Sequence, residues 1–534
     1  MVAPPAKSPV TALAPPLVAR LLDPAAYPHP TADIRLIETH ISWVFLTGDF
    51  AYKVKKPCDL GFLDFSTLQK RHHFCAEEVR LNRRFAPELY LGIVPITGPA
   101  EAATLDGAGE PIEWAVKMRQ FDDRGRLDRL FEERGLTAAD CEHLGVQIAR
   151  VEERLAIADP RHGWGSAEAF RGTVAMNLDQ LRSARPEAAD RATSLQAWVD
   201  SAVESSRAAI AARAAAGKIR ECHGDLHLAN IVLHGGRMTA FDGIEFNDSL
   251  RWIDVANDVA FLAMDLRARG RPDFAARLLS AWMEAADDHA AVAVLPLYMV
   301  YRAIVRAAVA AIRRRQCADA GDTAGATAAA ADVDRYLDLA ERLTAPLPPR
   351  LFITSGVSGT GKTTLAARIV DACGAVRLRS DVERKRLAGM AATERPADDG
   401  HAADLYSSAM TARVYARLVA LATTVLRAGT SVVIDATCNA RAQRDGLAAV
   451  GRDAGVPIVW LELDVPAEFV LARVAARQAA GTDASDASID VVRAQLAGRQ
   501  PITPEEVAAT PGARLVHVTP WDAEDPGFVR RITT

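Results

Sequence analysis

Gly356-Val-Ser-Gly-Thr-Gly-Lys-Thr363 is the stretch on which the reading of this chain turns. An apolar run, Leu351-Phe-Ile-Thr-Ser355, precedes it directly, and a helical pattern, Thr364-Leu-Ala-Ala-Arg-Ile-Val370, follows. Strand, G-x-x-x-x-G-K-T loop and helix in that order predict a phosphate-binding loop rather than a chance cluster of small residues. Glycines at 356, 359 and 361 let successive backbone N–H groups curl around phosphate oxygens. Lys362 then reaches the β- and γ-phosphates and the Thr363 hydroxyl serves Mg²⁺. Ser358, Thr360 and Thr364 complete the candidate nucleotide set.

Working outward, strand patterns at 351–356, 375–380, 431–436, 457–464 and 514–519 alternate with helical ones. That alternation predicts an α/β P-loop domain over residues 350–534, with a mostly parallel, doubly wound sheet. Ligands of such sheets gather at the carboxyl ends of the strands. Asp381 ends the second strand and is expected to face an acceptor hydroxyl, its bland alternative being a helix N-cap. Arg384 follows one turn on. Asp435 ends Ser431-Val-Val-Ile-Asp435 and reads as the acid that serves Mg²⁺ through water or orients its neighbours. Arg473 and Arg477 share a helix face that leads into a polar segment, 480–488. These segments, with Ser380-Asp-Val-Glu-Arg384, Ile434-Asp-Ala-Thr437 and Leu463-Asp-Val-Pro466, resemble small P-loop kinases, the polynucleotide 5′-hydroxyl kinase in particular, and AAA-family ATP-binding proteins. The resemblance implies Asp381 as general base, Arg384 as a clamp on an acceptor anion, and Arg473 and Arg477 as lid arginines.

A second signature lies upstream: His223-Gly-Asp225-Leu-His227-Leu-Ala-Asn230, then Thr239-Ala-Phe-Asp242 closing a strand. Phosphoryl transfer needs a carboxylate near the acceptor hydroxyl, and an amide and a carboxylate to hold Mg²⁺. Asp225, Asn230 and Asp242 match those parts in type and order. With them, residues 31–345 resemble the aminoglycoside phosphotransferase family, which implies a bilobal α+β kinase-like fold. It also implies Asp225 as the catalytic carboxylate, Asn230 and Asp242 as metal ligands, and a strand lysine paired with a helical acid at the phosphates. Lys53 and Lys55 share one strand face, so either serves, Lys53 being favoured; the acid is Glu78 or Glu77. Asp254 and Asp258 read as supports of the loop; Glu245 reads as a support too, with contact to the metal as its alternative. The surroundings, Lys53-Val-Lys-Lys-Pro57 and Gly61-Phe-Leu-Asp-Phe65, depart from the drug-modifying members, so aminoglycosides are not assumed as acceptors.

The 534 residues, 49% hydrophobic and 25% charged, carry a net charge of −5. Acidic and basic side chains balance over 351–534, which argues against long nucleic acid as a partner. Seven cysteines without a C-x-x-C pair read as free thiols of a reducing compartment. Residues 1–30, rich in Pro and Ala, read as a flexible arm, and Thr344-Ala-Pro-Leu-Pro-Pro349 as a stiff linker. Gly, Ala, Thr and Asp between Ala318 and Ala331 predict an exposed loop. The apolar run from Ala290 to Tyr301 ends at Arg302, too short for a membrane span, and the chain reads as cytoplasmic. The sum is an ATP- and Mg²⁺-dependent phosphotransferase with two nucleotide sites and small hydroxyl acceptors. The alternatives are a regulatory switch with one non-catalytic ATP sensor, and a polynucleotide 5′-hydroxyl kinase in the C-terminal domain.

Overall fold

The computed structural model describes residues 16–533, apart from 60, 62, 134, 346, 393, 395–403, 481–488, 511, 520–521 and 523–524. By contact the chain divides into two units. The first holds the chain up to Thr137, Gln147–Arg269 and Leu297–Leu343; the second holds Ala138–Val146, Gly270–Pro296 and the chain from Thr344. The expected boundary at 345–350 therefore describes only part of the division, because residues 138–146 and 270–296 group with the C-terminal unit. The helices that position the two sites are, in chain order, α1 (Leu68–Asn82), α2 (Val255–Ala268), α3 (Pro272–Ala285), α4 (Leu295–Asp319), α5 (Lys362–Cys373), α6 (Ser380–Leu387), α7 (Ala467–Ala480) and α8 (Ile489–Ala497).

The first unit opens with β1 (Arg35–Glu38), β2 (Ser42–Leu46), β3 (Phe50–Lys55), β4 (Tyr90–Thr97), β5 (Thr104–Leu105) and β6 (Pro111–Arg119). They form one sheet in the order β1-β2-β3-β6-β4-β5, every pairing antiparallel. The β2–β3 turn needs Gly48 at φ 106°, a conformation costly for other residues. Helix α1 starts at Thr67, whose side chain accepts from Lys70 N–H, and it buries Cys75, Glu78, Val79 and Asn82. The arm expected over residues 1–30 does not hold for residues 16–30. Residues 1–15 lie outside the described residues, whereas Val18, Leu21, Ala26 and Tyr27 join Phe45, Tyr52 and Val54 in one core cluster. Burying those side chains outweighs the irregularity that Pro imposes.

Two short pairs follow, β7 (Ile219–Glu221) with β10 (Trp252–Asp254), and β8 (Ile231–His234) with β9 (Arg237–Ala240). They frame the His223–Asn230 loop. Helix α2 buries every residue from Val255 to Leu266. The apolar run expected to end at Arg302 continues through α4, because Arg302 is itself buried and donates to Gly224 O and Asn257 Oδ1. Helices α4 and Ser408–Arg427 reach the length and apolarity of a bilayer span; a window of α4 is 72% buried within the protein, as a core helix is. The loop expected over 318–331 is instead the end of α4, a turn at 320–322 and the start of helix Thr323–Thr344. Alanine is the strongest helix former, and Asp322 Oδ1 accepts from Gly325 N–H at 2.8 Å in the new first turn.

The second unit is built on β11 (Leu351–Ser355), β12 (Val376–Arg379), β13 (Val432–Asp435), β14 (Ile458–Leu463) and β15 (Arg514–Val518). Every pairing is parallel, in the order β12-β13-β11-β14-β15. Strands β11, β13 and β14 are buried along their whole length, as strands covered on both faces are. Helix α3 belongs to this unit: Ala276 packs with Phe352, Leu365 and Ile369. Arg277 Nε donates to Asp371 Oδ1 at 2.6 Å, and Ser280 Oγ accepts from Arg377 N–H at 3.1 Å.

Candidate active sites

In the first unit Lys53 and Lys55, on the inner face of β3, both reach Glu78 on α1. Lys53 Nζ donates to Glu78 Oε1 at 2.8 Å and to Asp242 Oδ1 at 2.7 Å. Lys55 Nζ donates to Glu78 Oε2 at 2.7 Å and to Glu245. Glu77 points elsewhere and accepts from Arg80. Burial by itself would lower the Lys53 amine, but the Asp242 and Glu78 carboxylates hold it well above its usual range. Burial would likewise raise Glu78; the two ammonium groups overcome that and bring it to about 2. For Glu245 burial prevails over Lys55 and the carboxyl is raised.

Asp242 sits at φ 65°, in the left-handed region, with its N–H donating to Tyr90 Oη at 3.0 Å. Its Oδ2 is buried and accepts no hydrogen bond among the described residues. An orphaned carboxylate oxygen of this kind fits a cation ligand. Asn230 Nδ2 donates to Asp225 O at 3.0 Å and to Asp225 Oδ2 at 2.9 Å, neither of which uses the amide oxygen. Among the described residues no three His, Cys, Asp or Glu side chains gather as a metal cage. Asp242 Oδ2 and the Asn230 amide oxygen are the kind of pair that would suit Mg²⁺, which takes one or two protein oxygens and completes its shell from phosphate and water.

The loop that carries Asp225 is held by groups behind it. Asp258 accepts from His223 N–H at 2.9 Å and Gly224 N–H at 3.0 Å, and Asp265 accepts from Leu228 N–H at 3.1 Å. Asp254 takes a two-pronged bond from Arg213 and caps α2 through Ala256 N–H. Asn82 Oδ1 accepts from Gly243 N–H at 2.7 Å, fastening the Asp242 turn to α1. Sequence reasoning missed Tyr90, Asn82, Asp265 and Arg302. The one signal on offer was the seven-residue spacing of Asp258 and Asp265, which puts both on one face of α2.

In the second unit the phosphate loop joins β11 to α5, with Gly356, Gly359 and Gly361 all at positive φ. A Cβ on Gly359 would meet Val474 Cγ2 at 2.8 Å, so α7 lies directly against the loop. Lys362 is buried and donates to Val357 O at 2.7 Å; Thr360 Oγ1 donates to the same oxygen at 2.9 Å. Ser358 N–H, one of the amides available to a phosphate, is taken by Gln495 Oε1 on α8 at 2.8 Å. Thr363 Oγ1 stands 3.3 Å from Asp435 Oδ1, while Asp435 Oδ2 is buried without a partner among the described residues. Burial raises the Asp435 carboxyl against the pull of Arg377 and Lys362. Thr363 and Thr364 are exposed to a cleft of about 470 Å³ lined also by Arg277, Arg368, Arg377 and Arg379.

Of the remaining expected residues, Asp381 is half-buried in the first turn of α6, whose N-cap is Arg379 and not Asp381 itself. Arg384, expected as a clamp on an acceptor anion, is 7% exposed. It is buried over the Tyr406 ring, and its Nη1 donates to Leu405 O at 2.9 Å and Thr411 Oγ1 at 3.2 Å. Those bonds hold the segment before Ser408–Arg427, and the buried Nε has no hydrogen-bond partner among the described residues. Arg473 is exposed, and its Nη1 comes within 3.8 Å of a Cβ built on Gly361, hence against the phosphate loop. The Arg477 side chain and residues 481–488 lie outside the described residues.

Residues 68–295 match the phosphotransferase enzyme family and residues 351–502 match an AAA domain. Uncharacterized proteins of Mycobacterium tuberculosis and Mycobacterium bovis are 31% identical over 484 residues, 88% of this chain and 92% of theirs. Among solved structures, a choline/ethanolamine kinase family protein from Mesorhizobium loti aligns over 61% of this chain and 99% of its own, at 13% identity and TM-score 0.34. The Mycobacterium tuberculosis APS kinase CysC aligns over 35% and 99%, at 20% identity and TM-score 0.24.

Proposed function

Since the chain belongs to the same family as these mycobacterial proteins, and consists of a kinase-like phosphotransferase unit followed by a P-loop kinase unit, we propose that it is a two-site, ATP-dependent phosphotransferase. Each unit passes the γ-phosphoryl group of ATP to a hydroxyl of a small molecule. The observation that carries the reading is the bridge from Glu78 through Lys53 to Asp242, whose second oxygen is left for a cation. Lys53 orients the phosphates. Asp225, held by Asn230, accepts the proton of the acceptor hydroxyl as the new P–O bond forms and the bond to ADP breaks. In the second unit Lys362 and the loop amides hold the phosphates, Asp381 faces the acceptor, and Arg473 neutralises charge on the transferring group. Mg²⁺, when bound by Asn230 and Asp242 in one unit and by Thr363 and Asp435 in the other, spreads the phosphate charge. A cytoplasmic location belongs to the same reading, since the donor it calls for is ATP.

Equilibrium titration with a non-hydrolysable ATP analogue tests the reading, the expected result being two equivalents per chain. Labelled ATP with a small-metabolite extract then separates the units. Asp225→Ala removes one labelled product and Lys362→Ala the other. A single equivalent, or products unchanged in both variants, rules the reading out.

A further inference from the structure

The first unit holds a second buried lysine–carboxylate pair that the transfer chemistry does not use. We propose that Lys55 and Glu245 are positioning residues that keep Glu78 fixed while Lys53 exchanges Asp242 for the phosphates; the proposal rests on the phosphotransfer reading above. Lys55 and Glu78 are fully buried and Glu245 nearly so. Glu78 Oε1 is taken by Lys53 and Oε2 by Lys55. When nucleotide enters, Lys53 must turn toward phosphate oxygens, and Glu78 is left needing an anchor that does not move. Lys55 is that anchor, and it is held in turn by Glu245, three residues past Asp242.

Charge arithmetic supports the same division of labour. Two ammonium groups face three carboxylates, Glu78, Glu245 and Asp242, so the cluster is one positive charge short. The buried oxygen without a partner is Asp242 Oδ2. A cation held by that oxygen would supply the missing charge, and Lys53 with Glu78 and Lys55 with Glu245 would then stand as two balanced pairs. A second strut runs beside the first: Asn82 links Gly243 N–H to Glu78 O. Removing Lys55 would leave the buried Glu78 carboxylate tied to a single, moving amine, a costly arrangement.

The test uses the full chain carrying Lys362→Ala, supplied with the small-metabolite extract as acceptor, so that Mg·ATP turnover, read as ADP formation, reports the first unit. Against that reference Lys55→Met is expected to lower kcat at least tenfold and to change KM for Mg·ATP less than threefold. In a Glu78→Gln background the same substitution is expected to cost less than twofold, because Lys55 acts through Glu78. Equal losses with and without the Glu78 carboxylate, or no loss in Lys55→Met, overturn the proposal. Should Lys55→Met fail to fold by near-ultraviolet dichroism, Glu245→Gln, which keeps the side-chain shape, takes its place in the same comparison. Asp225→Ala serves as the control for the underlying reading. If it turns over ATP at the reference rate, the phosphotransfer reading falls and takes this proposal with it.

Discussion

Asp242 shows how much one residue's backbone can matter. Its left-handed φ is tolerated by Asp and Asn but costs most other residues more. Asp242→Asn is therefore expected to fold as the parent does while losing the carboxylate charge proposed to hold Mg²⁺. Mg²⁺-dependent nucleotide affinity of the first unit should fall at least tenfold, read by calorimetry in the Lys362→Ala chain. Glu78 makes a different prediction, about pH. Its carboxyl is held near 2 against an ordinary 4.5, because Lys53 and Lys55 outweigh burial. A depressed carboxyl contributes stability above pH 4.5 that is lost as pH falls toward 2. Acid unfolding of the first unit should therefore steepen in that window, and Glu78→Gln should flatten it; the raised Glu245 carboxyl offsets part of the effect. At this scale the motif residues Asp225, Asn230, Asp242 and Lys362 were legible because their spacing is local. Tyr90 and Asn82 were not, since each acts on a turn about 150 or more residues away, and nothing in their own surroundings marks them.

Helix α7 and the phosphate loop form one packed element. Val357 of the loop shares a cluster with Val465, Val470, Val474 and Val492, and Gly359 sits beneath α7 at φ 90°. Gly359→Ala adds a methyl group 2.8 Å from Val474 Cγ2 in a backbone conformation that alanine resists at about 1 kcal/mol or more. Nucleotide affinity of the second unit is expected to fall at least tenfold in the Asp225→Ala chain, measured with a fluorescent analogue. An unchanged affinity would mean that the loop reshapes freely under α7. The strands of this unit were readable from continuous apolar runs to within about a residue at each end. The Ala-rich stretch at 318–331 was not, because Gly, Ala and Thr serve exposed helices and loops alike. What decides there is the Asp322 cap and the burial of Ala329 among tertiary neighbours.

At the scale of the whole chain, the least legible feature is that sequence order and contact order disagree. No local pattern in residues 138–146 or 270–296 announces that they belong with a sheet that starts at Leu351. Their side chains nevertheless complete that unit. Ala276 enters its core, Glu142 and Glu284 pair with Arg377 and Arg379 on β12, and Arg277 pairs with Asp371 on α5. Among these, Arg377 is 6% exposed, so its charge needs a partner. Removing one member of a buried pair costs about 3–5 kcal/mol. A fragment that begins at residue 350 strips β12 of both its acids at once and uncovers the apolar face of α5. Its thermal unfolding midpoint should lie well below that of the same unit in the intact chain, followed by hydrogen exchange at β11, β13 and β14. Equal protection of those strands in fragment and full chain would show that the α/β unit is self-sufficient and that helix α3 only rests on it. The expected loss would instead mean that residues 138–146 and 270–296 are integral parts of the α/β unit.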